Sequence, residues 1–595
     1  MPEVSLSPDL VPDWPDWTVA AGGLLGLNVL LQVPALLFGT LPWPISSSYL
    51  VDPLRLHHLL SLDLLGLACL LALTPYTTGW SPVRMLVAGS IPFLLCYGVY
   101  DAAVQGMLHR SPIFYADAPH LVGAGHLLLN LRMPWWHVLG LIAAVGVLAL
   151  LGWTLPILIR YLHVHLRRPP LRNGMLGASL IVFSLVLWAA VTNRGVERET
   201  YQSTCFFTAE CVARNAKASI DLRRDIARSS SSPADSTYHA YQTLQWSRPP
   251  SLYVVVMESY GSVLTAPPHR ARYDQLMDPV SGSLKASGWH AATAHSRAPV
   301  SGGLSWLSVA TMLLGTTVRH QPTFDMLRPK LSRYPHLIWM LQQQGYTTAA
   351  LQPPVRERAG LSVQNLYGFD RTFYFQDLDY HGPDYGWGIV PDQYSLAVAH
   401  DQFVEQTARP FFLFFEAVSS HAPWDDPPPP LVDNPLSLGN RQETARPPPA
   451  GEASLQARPP VEQLFRQIEY DWRVLADYLR AEAPPNSLVV VVGDHQPPGI
   501  DNASSATPVH VLSRDEPLVR RFADYGFSSG LQPPTEADTL YHAGMYSMLT
   551  RVLTAHSETG HSETGQGATR TDLSPALPPY RPRGVEEHSA LLPVP

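Results

Sequence analysis

The chain has 595 residues, too many for one simple domain, and 46% hydrophobic against 15% charged residues places part of it in lipid. A formal net charge of −8 argues against a general nucleic-acid binder. Its 57 prolines and 40 glycines point to a loop-rich chain with a disordered portion.

Five apolar stretches come first, at about Thr18–Leu41, Leu56–Leu73, Met85–Met107, Val138–Tyr161 and Leu176–Val191. Each is about long enough to cross a hydrocarbon core of ~30 Å, which predicts a five-helix transmembrane domain. Met1–Trp17 has no Lys or Arg and carries Glu3, Asp9, Asp13 and Asp16, so it does not read as a cleaved signal peptide. The densest basic loop, "YLHVHLRRPPLRN" (Tyr161–Asn173), should face the cytoplasm. The fifth span then exits outward, and everything after about Asn193 is extracytoplasmic. Asp63 and Asp101 fall inside spans, where either a polar cavity or helix-end hydrogen bonding would account for them. Cys69 and Cys96 read as packing residues; Cys205 and Cys211, in "CFFTAEC", suit either a disulfide in an oxidising compartment or free thiols.

The expected organisation is a transmembrane domain over residues 1–193, a helical connector over 194–248, a catalytic domain over 249–555 and a disordered tail over 556–595. A Pro-rich insertion, residues 425–460, interrupts the catalytic domain. Within that domain, "LYVVVM", "PFFLFFEAV" and "LVVVV" read as buried strands. "HLIWMLQQQGYTTAALQ" reads as helix, glycine turn and strand, and "VEQLFRQIEYDWRVLADYLRA" as an amphipathic helix. Uniformly apolar strands alternating with helices predict an α/β sandwich with a mainly parallel central sheet.

In open α/β sheets, sites form beyond the carboxyl ends of the strands. Glu258 follows the first strand, His421 follows "FFLFFEAV", and Asp494 with His495 follows "LVVVV". Each could be a turn or capping residue alone. Together they form a mixed oxygen and nitrogen set that suits Zn²⁺ or Mn²⁺. A nucleophile is available in "APVSGGLSWLSVATMLLG", where Ser305 opens a helix-like run, either as an activated hydroxyl or as an N-cap. Ser301 and Ser308 are its rivals.

These pieces, in this order, resemble the alkaline phosphatase/sulfatase superfamily, and most closely its membrane-anchored branch of lipoteichoic acid synthases and related phosphoglycerol transferases. The motifs that carry the likeness are "MESYG", "SGGLSWLSVATMLLG", "QGYTTAALQP", "YGFD", "SSHAPW", "IEYDWRVLADYL" and "VVGDHQPP". The resemblance implies an alkaline phosphatase-like fold and one divalent metal, Mn²⁺ or Zn²⁺, held by Glu258, Ser305, Asp494 and His495. It implies Ser305 as nucleophile, His421 against the substrate phosphate, and Trp387 and Asp392 in a substrate-side segment. Ser replaces the usual Thr nucleophile. "SWLSV" lacks the Cys/Ser-x-Pro-x-Arg pattern of sulfatase maturation, and Asp392 lacks the His four residues on that two-zinc phosphodiesterases carry.

The implied activity is ping-pong transfer of a phosphoglycerol-type head group from a phospholipid to a glycan or polymer hydroxyl through phospho-Ser305. It would take place at the outer face of the cell membrane, with no nucleic-acid partner. Phosphoethanolamine transfer or phosphodiesterase action at the same site is the near alternative. A non-catalytic membrane binding protein is the remote one.

Overall fold

The computed structural model describes residues 16–38, 60–77, 81–120, 135–192, 207–229, 241, 244–247, 249–357, 363–387, 389–408, 410–424, 428–440, 459–500, 504–534 and 540–562. The chain divides into two compact units, Met1–Ile220 and Asp221–Pro595.

The first unit is helical: α1 (Asp16–Leu37), α2 (Leu62–Leu73), α3 (Pro82–Leu108), α4 (Trp135–Leu166) and α5 (Pro169–Thr192). They meet through Leu27, Ala68, Leu71, Ile91, Ile159 and Leu162. Leu180, Leu187 and Trp188 stay exposed, as a lipid-facing surface requires. Helices stand at all five expected places. Among the described residues, three are long and apolar enough to cross a membrane, within Ala20–Leu37, Pro82–Leu108 and Ala149–Leu166. The five expected places thus all carry helices, and the length and hydropathy of a membrane span are met at three of them among the described residues. Helix α2 has 12 residues, about 18 Å of rise against a core of about 30 Å. Its start is fixed by Ser61, whose side chain accepts the Leu64 N–H.

Helix α6 (Thr208–Ser229) lies in the expected connector, and the boundary between the units falls inside it. Cys205 lies outside the described residues, and with it the question of a Cys205–Cys211 disulfide.

The second unit is built on one sheet. Its strands are β1 (Ser251–Met257), β2 (His290–Arg297), β3 (Thr347–Gln352), β4 (Arg371–Tyr374), β5 (Phe411–Ala417), β6 (Ser487–Gly493), β7 (Ala506–Ser513), β8 (Ser528–Ser529) and β9 (Leu540–Tyr541). They lie in the order β4-β3-β5-β1-β6-β7-β2-β8, with β9 on β2. From β4 to β6 every neighbour is parallel; β7 runs antiparallel to β6 and to β2. The sheet is therefore mixed and mostly parallel.

Helices cover both faces: α7 (Arg270–Ala286), α8 (Ser305–Leu314), α9 (Gln321–Leu327), α10 (Leu337–Gln343), α11 (Asp392–Ala399), α12 (Pro460–Ala481), α13 (Glu516–Arg520) and α14 (Met545–Ser562). Period-two alternation sorts each central strand between two cores. Tyr253, Val255, Leu413, Phe415, Val489 and Val491 pack with α7 and α12. Val254, Val256, Phe412, Phe414, Val490 and Val492 pack with α8, α10 and α14. Helix α14 runs to Ser562, past the tail boundary expected near Ala555, and residues 563–595 lie outside the described residues. Of the Pro-rich insertion, 428–440 is described, with a single short helical turn at Pro435–Gly439.

Candidate active site

The parallel strands β1, β5 and β6 end at one edge, and their next residues converge. Glu258 N–H donates to Ala417 O at 3.3 Å, and Asp494 N–H to Met257 O at 3.3 Å. Gly493 turns the chain here because a Cβ at that position would lie 1.9 Å from Tyr260 O. That close approach brings the β1 and β6 loops together and stacks Asp494 beside Glu258.

Asp494 is fully buried. Its Oδ1 accepts the N–H groups of Ser259, at 2.9 Å, and His495, at 2.8 Å. These two bonds orient the carboxylate and leave Oδ2 pointing inward, buried and without a hydrogen-bond donor. His495 Nδ1–H donates to Gln496 O at 2.8 Å. That bond aims Nε2 at Glu258 Oε1, 3.0 Å away, and at Asp494 Oδ2, 3.2 Å away. Burial works against a charge on His495, but Asp494 and then Glu258 push its pKa up to about 9. Burial likewise opposes ionisation of Glu258, yet the His495 imidazolium holds it below the usual carboxylate range.

Ser305 completes the group. The turn before it, Gly302, Gly303 and Leu304, takes positive φ at three successive residues, 70°, 139° and 68°. For a leucine this is a strained backbone. It is held in part by Gly302 N–H donating to Gln496 O at 2.9 Å. Leu304, not Ser305, is the N-cap of α8. Freed from capping, the Ser305 hydroxyl donates to Glu258 Oε2 at 2.8 Å and lies 3.2 Å from His495 Nε2. Ser308 is occupied elsewhere, donating to Asp494 O at 2.6 Å from a buried position.

The residues present fit a divalent cation. One ligand atom from each of Glu258, Asp494 and His495 lies within 4.8 Å of the others, and the orphaned Asp494 Oδ2 is the buried oxygen a cation would satisfy.

The remaining predicted residues separate. His421 and Trp387 form one unit, rings stacked 3.9 Å apart at 12°, with Trp387 41% exposed. His421 Nδ1 is bonded to Ala422 O, which leaves Nε2 as its open ring nitrogen. Burial lowers the His421 pKa and so favours the neutral ring. Asp392, expected in the substrate-side segment, lies beneath the His421 turn. It is buried, and its carboxylate accepts Val418 N–H, at 3.0 and 3.1 Å, and Ser419 N–H at 2.8 Å. It therefore holds the turn that carries His421.

Two groups escaped sequence reasoning. Asp471 is buried beneath Asp392, and burial, then the Asp392 charge, raises its pKa well above the carboxylate range. Its signal was present in the helical spacing, since Asp471 falls on the apolar face with Ile468 and Leu475. Glu416 sits at the end of β5 beside the site. It was read as part of an apolar strand, although period-two counting puts it on the same face as Glu258.

Residues 272–515 match the Sulfatase family model. The matched span includes Ser305, His421, Asp494 and His495, while Glu258 lies just ahead of it. No curated protein matches the chain. Among solved structures, the integral membrane lipooligosaccharide phosphoethanolamine transferase A from Neisseria meningitidis is similar at 12% identity and TM-score 0.42, over 90% of this chain and 95% of that one. The lipoteichoic acid synthase LtaP from Listeria monocytogenes is similar at 14% identity and TM-score 0.31, over 53% and 77%. The Streptococcus pyogenes phosphoglycerol transferase GacH is similar at 12% identity and TM-score 0.31, over 59% and 89%.

Proposed function

We propose that this protein is a metal-dependent phosphotransferase at the outer face of the membrane, moving a head group from a phospholipid to a glycan or polymer hydroxyl through a covalent Ser305 intermediate. The observation that carries the reading is the Ser305 hydroxyl held 2.8 Å from Glu258 Oε2 and 3.2 Å from His495 Nε2. It sits beside a buried carboxylate oxygen that no protein donor satisfies. The sulfatase-family match and the apolar helices ahead of the domain support it further.

Glu258, Asp494, His495 and Ser305 would hold one divalent metal, Mn²⁺ or Zn²⁺, which supplies Lewis-acid stabilisation of phosphoryl charge and eases Ser305 ionisation. Ser305 Oγ, its proton directed at Glu258 Oε2, attacks phosphorus. The Oγ–P bond forms as the P–O bond to diacylglycerol breaks, and diacylglycerol leaves as the alcohol, a net proton passing from Ser305 to it. An acceptor hydroxyl then attacks the same phosphorus, releasing Ser305 with its proton restored. His421 Nε2 is the open nitrogen that takes the acceptor's proton, and Trp387 holds the ring by stacking. The N–H groups opening α8 face the phosphoryl oxygens.

The names of the similar solved structures divide between lipoteichoic acid, phosphoglycerol and phosphoethanolamine chemistry, so they do not choose the head group. Water as acceptor would make the same site a phosphodiesterase. Intact-mass measurement of protein incubated with phospholipid tests the reading. A head-group phosphate adduct on wild type, absent in Ser305→Ala, is expected; an adduct that persists in Ser305→Ala overturns it.

A further inference from the structure

The polar row at the sheet edge does not stop at the metal ligands. Continuing the alternation of the strands, Asp494 follows Val492 and Glu258 follows Val256 on the face that packs against α8. Glu416 follows Phe412 and Phe414 on that same face, and its backbone is in register with Val256. Two strands further out, Gln352 pairs with Tyr374, and Leu351 pairs with Phe415, so Gln352 stands next to Glu416. Tyr374, Gln352 and Glu416 thus form a straight line across β4, β3 and β5, about 5 Å per step. The line leads to Glu258, one strand over and two residues along, about 8 Å from Glu416.

We propose that Glu416, with Gln352 and Tyr374, forms a head-group subsite that receives an ammonium, so that the phospholipid donor is zwitterionic. The proposal rests on the reading of Ser305 as the nucleophile.

Charge decides it. Phosphorus must sit at Ser305, and the phosphodiester there is an anion. A second carboxylate at Glu416 faces that anion and Glu258 together. Among the described residues no basic side chain offsets it: the groups that act on it are Gln352 by hydrogen bond and Glu258 by repulsion. Burial first, and Glu258 with it, push its pKa up to about 7. The Tyr374 and Tyr367 hydroxyls both feel the Glu416 charge. A carboxylate beside the phosphate site favours an ammonium over a neutral polyol. A zwitterionic head group meets both demands, its phosphate at Ser305 and its ammonium at Glu416.

The test uses the full chain in vesicles containing phosphatidylethanolamine and phosphatidylglycerol in equal amounts, reading which head-group adduct forms on Ser305 by intact mass. Wild type should carry mainly the phosphoethanolamine adduct. Glu416→Gln, nearly the same shape without the charge, should lower the ethanolamine-to-glycerol adduct ratio at least tenfold, and Glu416→Asp should restore part of it. If Glu416→Gln does not fold, Tyr374→Leu should lower the same ratio in the same direction. A wild type labelled mainly by phosphoglycerol, or a ratio that neither Glu416→Gln nor Tyr374→Leu moves, overturns the subsite and leaves Ser305 transfer standing. Labelling by neither lipid overturns the Ser305 reading and the subsite with it.

Discussion

Buried and half-buried carboxylates occur in both units, and they are treated in opposite ways. In the helical unit each acid is answered by its own chain. Asp63 Oδ2 accepts the Thr208 N–H at 2.9 Å and its hydroxyl at 2.7 Å, and Asp101 accepts from Gln105 at 2.8 Å. Asp117 takes an Arg110 ion pair, the Tyr100 hydroxyl at 2.6 Å and Ile113 N–H at 2.9 Å. In the sheet unit, Asp494 keeps one buried oxygen without a hydrogen-bond donor, 3.2 Å from His495 Nε2, and Glu416, bonded by Gln352, has no basic partner among the described residues. A satisfied buried acid is structure; an unsatisfied one is retained against a cost of several kcal/mol, which marks it for a ligand. On this ground Asp63 and Asp101 read as hydrogen-bonding residues and not as the lining of a polar cavity.

The largest effect that tests this contrast is on activity. Asp494→Asn and Ser305→Ala should each lower transfer about 10³-fold or more, while the fold survives because the Asp494 backbone bonds can be kept by asparagine. Chelator should lower the melting temperature of wild type and leave that of Asp494→Asn unmoved, since only a metal bound to the native state stabilises it. Equal chelator shifts in both proteins would break the contrast between the two kinds of acid.

Histidines extend it. Asp494 and Glu258 favour a charge on His495, whereas burial keeps His336 and His510 as neutral structural groups. His336 Nδ1 accepts the Trp339 N–H at 3.1 Å to cap α10, and His510 sits between Thr293 Oγ1 at 2.8 Å and Tyr260 OH at 3.0 Å. Burial lowers their pKa values to about 4 and about 3. Below the unfolded value of about 6.5, the unfolded chain takes protons that the folded chain refuses, so stability falls with pH. The loss is about 2 kcal/mol for each by pH 5. Unfolding followed between pH 7.5 and 5 should show this decline, with a shallower slope in His336→Asn, which caps without titrating. An unchanged slope would remove His336 from the account.

A smaller effect tests the other side. Asp63→Asn keeps one acceptor and loses the charge, so it should cost about 1–2 kcal/mol of stability. Activity per folded molecule should not change. A loss of transfer in folded Asp63→Asn, measured in detergent, would return a functional role to that position.

How far this was legible follows from the same physics. Strands β1, β5 and β6 could be read because both faces are buried, so their sequences are uniformly apolar, and the residues after them named the site. Strands β2 and β7 could not. "HAATAHSR" looks polar, yet Thr293 and Ser296 are buried because His510 and His542 answer their hydroxyls across the sheet. Ser305 could be named, but not freed from the capping role, because the left-handed Leu304 that takes the cap is imposed by tertiary contacts. In the helical unit hydropathy located the helices, while the length of α2 depended on where Ser61 caps it.

The finest test lies under the His421 turn. Asp392 holds Val418 and Ser419 N–H groups directly. Asp392→Ala leaves those buried donors unanswered and should cost about 2–4 kcal/mol, with slower transfer because His421 and Trp387 shift. Asp471, kept protonated by burial and by the Asp392 charge, already behaves as a neutral group. Asp471→Asn should therefore change stability by less than about 1 kcal/mol. The loss of the Asp392 carboxylate would then cost severalfold more than the neutral replacement of Asp471, read in thermal unfolding of the full chain. If Asp471→Asn proved as costly as Asp392→Ala, Asp471 would have to be an ionised partner. The proton between the two carboxyls would then rest on Asp392, weakening the very bonds that hold the turn.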